Sequence, residues 1–302
     1  MANTFFQPGR ASTPYEAVRD SAHFADIKAL IEQIWSEYQP PSDPHFLEDA
    51  KAHFHQRTWE LYVWHVLKIH GFAPAKVGPA GPDFSFIASQ QRIWVEAVAP
   101  ERGDGQDAVP GIRFLNAGEE SIAQDVPEEA ILLRFTQAIQ RKLKKYEEDR
   151  AKNIVHNNDP FIIAINGCLA TDYRGDPPMP YVIKATIGLG HLMVLFDPTG
   201  KEPPESHYQR RSVVLKKNQQ PVSTELFLKD EYRGISAILY SPKDICNTPE
   251  QRGSEMYYFH NPLATNPLSA GIFKFCREYR ADLVQGRLVS KDWHIENQSL
   301  SE

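Results

Sequence analysis

The sequence predicts an α/β protein with an α-β-β-β-α-β core, an N-terminal helix and a β-rich C-terminal elaboration. Three observations carry this. Apolar residues recur at three- and four-residue steps over 22–38 and 127–150. Short runs rich in β-branched and aromatic residues lie at 83–88, 92–98 and 160–168. Cap and turn residues stand between these runs. The chain divides into an arm and helix over 1–44, a core over 45–170, and an elaboration over 171–302 packed on that core.

The elements follow in order. Residues 1–20 read as an irregular arm. Phe24, Ile27, Ile31, Ile34 and Tyr38 mark an amphipathic helix over 22–38, stopped by Pro40-Pro41. Ser42-Asp43-Pro44 gives an N-cap followed by proline, so a second helix should run over 44–70 and close at Gly71. Phe72 to Val77 is a short β-type stretch. Better strands are 83–88 and 92–98, joined by a turn at Ser89-Gln90-Gln91. A long loop over 101–126 leads to the helix at 127–150, whose first turn carries Glu128 and Glu129 where the helix dipole favours acids. The run from Pro160 to Cys168 reads as a buried central strand. Beyond 170, strands are expected at 181–196, 211–217, 224–229, 235–241 and 255–260, and a short helix at 268–284.

Bulk composition narrows the function. Mean hydropathy is −0.46, and the 302 residues carry 33 Lys and Arg against 39 Asp and Glu, a net charge of −6. That excludes collagen and coiled coil. It argues against holding nucleic acid by bulk charge, so any such contact must rest on a local patch. Cys168, Cys246 and Cys276 lie far apart, which disfavours a disulfide framework and a zinc ribbon and suits a reducing compartment. The first residues show no signal-peptide core, and the longest apolar runs fall far short of the roughly 20 residues a membrane helix needs. A soluble, cytoplasmic protein is expected, with no membrane partner.

The chemistry-bearing residues concentrate at the hairpin. With an even loop, Asp83 and Glu96 fall directly opposite one another, with Cβ atoms about 5 Å apart on one face. Carboxylates that close repel unless something neutralises them, and Mg²⁺, which prefers oxygen ligands, does so. Flanking Phe84, Phe86, Trp94, Val95, Ala97 and Val98 make the hairpin look buried, where a bare carboxylate is costly. Glu60 on the preceding helix either joins this site or pairs with Arg57 at i, i+3. On the 127–150 helix, with Phe135 at zero, Lys142 falls near about −20°, in the middle of the stripe formed by Ile131, Ala138, Ile139 and Tyr146. It either snorkels or reaches the carboxylates. Lys144 points the opposite way, and Arg134, Arg141 and Lys145 flank one edge.

Together these residues resemble the PD-(D/E)XK nuclease superfamily, the restriction-endonuclease-like fold, over roughly 45–168. Pro82-Asp83 stands at its first motif, Glu96-Ala97-Val98 at E-x-K, and Glu60 where many members carry a helix glutamate. Val98 departs from the pattern, since the motif lysine belongs there. In some members that lysine has moved to the following helix, and Lys142 is its candidate here. The resemblance implies that Asp83, Glu96 and the Ala97 carbonyl ligate Mg²⁺, with Mn²⁺ as a substitute. Glu60 would hold the metal or a water, and Lys142 would orient the water that cleaves a phosphodiester, DNA being the expected substrate. Arg134, Arg141, Lys145, Arg210 and Arg211 are the candidate nucleic-acid contacts. Many relatives cut as dimers, so a homodimer is one arrangement. The competing class is a catalytically inactive nuclease-fold protein acting as a binding or structural module, and a third is an unrelated α/β hydrolase.

Other motifs carry less. His53 and His55 point apart on a helix, and His65 and His70 are badly spaced as a ligand pair. Gly188-Leu189-Gly190 lacks the rest of a dinucleotide-binding fingerprint. His260-Asn261-Pro262 reads as a turn.

Overall fold

The near-continuous apolar runs along the central strands dictate a sheet buried on both faces, and a computed structural model shows one. It describes residues 4–41, 43–76, 78, 80–112, 124–199, 204–284 and 287–290. Helices α1 (Thr13–Asp20), α2 (Ala25–Tyr38), α3 (Phe46–Ala52) and α4 (Phe54–Ile69) precede strands β1 (Phe84–Ala88) and β2 (Gln91–Val98). Then come α5 (Glu128–Ala151), β3 (Phe161–Asn166), α6 (Tyr181–Ile187), β4 (Leu189–Leu195) and β5 (Glu205–Arg210). Short strands β6 (Val213–Leu215) and β7 (Pro221–Ser223) lead to β8 (Ala237–Ser241), β9 (Tyr257–His260), β10 (Arg277–Tyr279), β11 (Asp282–Val284) and β12 (Arg287–Val289).

The central sheet has six strands in the order β1-β2-β3-β8-β9-β10. Strands β2, β3 and β8 run parallel, while the β1–β2 and β8–β9 pairs are antiparallel. Period-2 alternation splits each strand between two cores. Ile93, Val95 and Ala97 of β2 pack under α4, and Trp94 and Val98 pack under α5. The result is a three-layer α/β/α arrangement. Trp59 of α4 ties one layer down by donating its indole N–H to the Ala164 carbonyl of β3 (2.9 Å).

The β1–β2 turn has two residues, Ser89 and Gln90, both at positive φ (48° and 63°), the combination that matches the twist of a tight hairpin. Its register pairs Ala88 with Gln91 and Phe84 with Val95. One further step of that register sets Asp83 opposite Glu96.

Several elements differ from expectation. The arm contains α1, with Pro14 in its first turn and Tyr15 and Val18 buried beneath Phe5 and Phe6. The helix expected over 44–70 is two helices meeting at His53, whose φ of −120° and ψ of 54° break the turn. There the Lys51 carbonyl accepts from the Ser12 N–H (2.8 Å) instead of continuing the helix. Phe72 to Val77 makes only a bridge from Ala75 to Ser85 among its described residues. The 181–196 segment begins as α6, because Pro180 opens a helix and Gly188 ends it at φ 69°. The 224–229 segment holds a 3₁₀ turn at Leu226–Leu228. No helix forms over 268–284, where Gly271 takes φ 66° and β10 and β11 appear. Part of the long loop, 113–123, lies outside the described residues. The boundary expected at 170 is overrun by the sheet, since β8, β9 and β10 all come from beyond it. Among the described residues, no helix is long and apolar enough to cross a membrane.

Candidate active site

Glu96 shares the face of β2 that carries Trp94 and Val98, the face covered by α5. Val98 is 1% exposed and belongs to the apolar cluster beneath that helix. A lysine at 98 would have to bury its ammonium there. The cation arrives from above instead: Lys142 of α5 donates from Nζ to Glu96 Oε1 at 2.6 Å. Glu96 Oε2 is buried and has no hydrogen-bond partner.

Asp83 sits at the mouth of β1. Its Oδ2 accepts the backbone N–H of Ala97 at 2.7 Å, which fixes it against β2. Burial, with the Glu60 charge second, pushes the Asp83 carboxyl up to about 7, against the opposing pull of Lys142. Burial and the Asp83 charge push Glu96 up to about 7 as well. The two acids are thus held near neutrality by proximity and desolvation. Glu60 is raised too, by burial first.

Glu60 has both oxygens engaged. Oε1 accepts from the Tyr38 hydroxyl (2.6 Å) and Oε2 from Arg57 (3.0 Å). The i, i+3 pair with Arg57 therefore forms, and Glu60 still acts electrostatically on Asp83. Arg57 also binds Asp43 (2.5 Å) and Asp49 (2.6 Å) and lies 4.8 Å over the Phe46 ring. That cluster fixes the start of α4 against α3.

One residue escaped sequence reasoning. Gln56 stands one turn before Glu60 on α4. Its Nε2 donates to the Ala97 carbonyl (3.2 Å) and its Oε1 accepts from the Ala99 N–H (2.8 Å). It clamps β2 just past Glu96. The i, i+4 spacing to Glu60 was the available signal.

Gln56, Arg57, Asp83, Arg134, Arg141 and Lys142 line a cleft of ≈ 550 Å³, and Glu96 lies buried behind Lys142. The other proposed nucleic-acid contacts are committed elsewhere. Lys145 binds both oxygens of Asp149 (2.8 and 2.7 Å) and the Gly81 carbonyl. Arg210 forms a two-point pair with Glu225 (2.6 and 3.1 Å). Arg211 lies 3.5 Å from Glu128 and 2.7 Å from the His191 ring. These three cations are internal braces, each with a carboxylate within reach: one turn along α5 for Lys145, and brought by the fold for Arg210 and Arg211.

As a metal centre, the donor set is lean. Among the described residues, no three His, Cys, Asp or Glu side chains converge as a ready ligand cluster. Two carboxylates and one backbone carbonyl, all hard oxygens, match Mg²⁺, which keeps several waters and takes one or two protein carboxylates. The orphaned, buried Glu96 Oε2 is a donor oxygen with nothing else to bind.

No family model, no curated protein and no solved structure matches the chain.

Proposed function

We propose that the chain is a metal-dependent nuclease of the PD-(D/E)XK type, hydrolysing phosphodiester bonds of DNA, with its core in β1, β2, α5 and β3. The observation that carries this reading is the contact between Lys142 Nζ and Glu96 (2.6 Å), made across the face where the motif position is filled by Val98. Asp83, Glu96 and the Ala97 carbonyl are the atoms that would hold Mg²⁺. Held there, Mg²⁺ would supply Lewis-acid polarisation of a phosphoryl oxygen and a more acidic water.

The chain's own residues do the rest. Lys142 presents an ammonium beside Glu96, where it orients the attacking water and stabilises charge gathering on the phosphate. Gln56 keeps the Ala97 carbonyl in place by donating to it while accepting the Ala99 N–H. Arg57 and Tyr38 hold Glu60, whose charge acts on Asp83 from the α4 side. Arg134 and Arg141, on the cleft wall, meet the incoming backbone.

Plasmid nicking in Mg²⁺ or Mn²⁺ tests the reading. Wild type should cut, and Asp83→Ala and Glu96→Ala should each lose at least about 100-fold in rate. Equal nicking by all three proteins would overturn the assignment of these carboxylates, and a wild type that cuts nothing in either metal would leave the non-catalytic binding module.

A further inference from the structure

A second cleft, of ≈ 660 Å³, lies on the other side of the Arg134–Gln137 edge of α5. It shares Gly103, Arg134 and Gln137 with the active-site cleft. The two are therefore adjoining halves of one groove that straddles α5. The outer wall of the second half is the β6–β7 hairpin, through Lys216, Gln220 and Val222, with Lys229 just beyond it. The 103–107 loop closes one end. It is fastened to the hairpin, because Asp107 Oδ1 accepts the Lys217 N–H at 2.7 Å.

The lining has a definite chemistry. Arg134, Lys216 and Lys229 face Asp104 and Asp107, and one oxygen of Asp107 is already taken by the hairpin. Gln137, Gln140 and Gln220 add amide donors. Arg134 stands at the junction, its Nε buried and without a hydrogen-bond partner. Its guanidinium packs so closely on Gly103 that a Cβ there would lie 2.0 Å from Nη1. Among the described residues, no Phe, Tyr or Trp lines either cleft, whereas single-strand binders stack bases on aromatic rings. From Arg134 to Lys142 the helix rises about 12 Å, the length of about three and a half base-pair steps at 3.4 Å per strand.

We infer that the β6–β7 cleft is a docking site for the sugar–phosphate backbone of a nucleic-acid duplex flanking the scissile bond, with Arg134, Lys216 and Lys229 as its phosphate contacts. This rests on the nuclease reading of the adjoining cleft for what happens at the scissile bond, and not for binding itself. The site reads no base edges, so it sets substrate length and strandedness and leaves sequence unread.

Fluorescence anisotropy of a labelled 20-base-pair duplex, titrated with the full chain in EDTA at several salt concentrations, tests it. Lys216→Ala/Lys229→Ala should weaken binding about 10-fold or more and lower the log–log salt slope by about 2. Lys229→Ala alone, at an exposed position, should lower the slope by about 1 even if the double variant folds poorly. Lys144→Ala, on the opposite face of α5, should match wild type. Equal binding by wild type and both hairpin variants, or an equal loss in Lys144→Ala, overturns the inference. So does tighter binding of a 20-nucleotide single strand than of the duplex. Because EDTA removes hydrolysis from the readout, a wild type that binds duplex through Lys216 and Lys229 yet cuts nothing contradicts the nuclease reading alone.

Discussion

Asp83 and Glu96 are acids that the fold forces together and partly dries. Their carboxyls sit up to about 7 in the folded chain, against about 4 for such groups in water. A raised carboxyl binds its proton more tightly when folded. Its stabilising contribution is therefore complete below the unfolded value near 4 and is lost as pH climbs through about 7. Metal-free protein in EDTA should melt at a lower temperature at pH 8 than at pH 5.5, and Asp83→Asn should recover a few degrees at pH 8, on the order of 1–2 kcal/mol. A melting temperature that is flat over this range in wild type, or unmoved by the substitution, would show that the two carboxylates do not strain one another. The opposition of these acids was legible in the sequence, because strand parity depends only on a turn of even length. The fates of Arg210 and Arg211 were not. Lys145 has its acid one turn along α5, at Asp149, but Glu225 and Glu128 come to Arg210 and Arg211 only through the fold.

The element that decides the site is α5. Its apolar stripe buries Ile131, Phe135, Ala138 and Ile139 over the β2 face that carries Glu96, and Lys142 interrupts that stripe at the height of the carboxylate. The helical period alone placed Lys142 on the buried side; it could not say which strand lay beneath. With Val98 packed into the same cluster, the two positions divide the work: the strand residue fills the core and the helix residue supplies the cation. Val98→Lys should then destabilise the protein by about 3 kcal/mol or more, read as a drop in denaturant midpoint, since the longer side chain must bury its ammonium in the apolar cluster. A neutral effect would mean that the 98 side chain can reach the cleft, and that the packing described here is wrong. The break at His53 was illegible for a related reason. It depends on the arm crossing at Ser12, a contact between residues far apart in sequence.

At the scale of the whole molecule, the α/β layering followed from hydrophobic periodicity, and the path of the sheet beyond 170 did not. Strands β8 and β9 were recognisable as strands, but nothing local marks β8 as the parallel neighbour of β3. The helix expected over 268–284 does not form: Phe273, Cys276 and Tyr279 stand at helical spacing but serve loop and strand. The net charge of −6 is compatible with a nucleic-acid partner only if attraction is local, and Arg134, Arg141 and Lys142 gather on one cleft wall. The central claim is that this wall performs hydrolysis with a lysine borrowed from α5. The most direct measurement is the Mg²⁺-dependent cleavage rate of Lys142→Met beside wild type over a range of DNA concentrations. A fall in kcat of about 100-fold or more, with KM little changed, is the predicted result; a variant that cuts at the wild-type rate would contradict it.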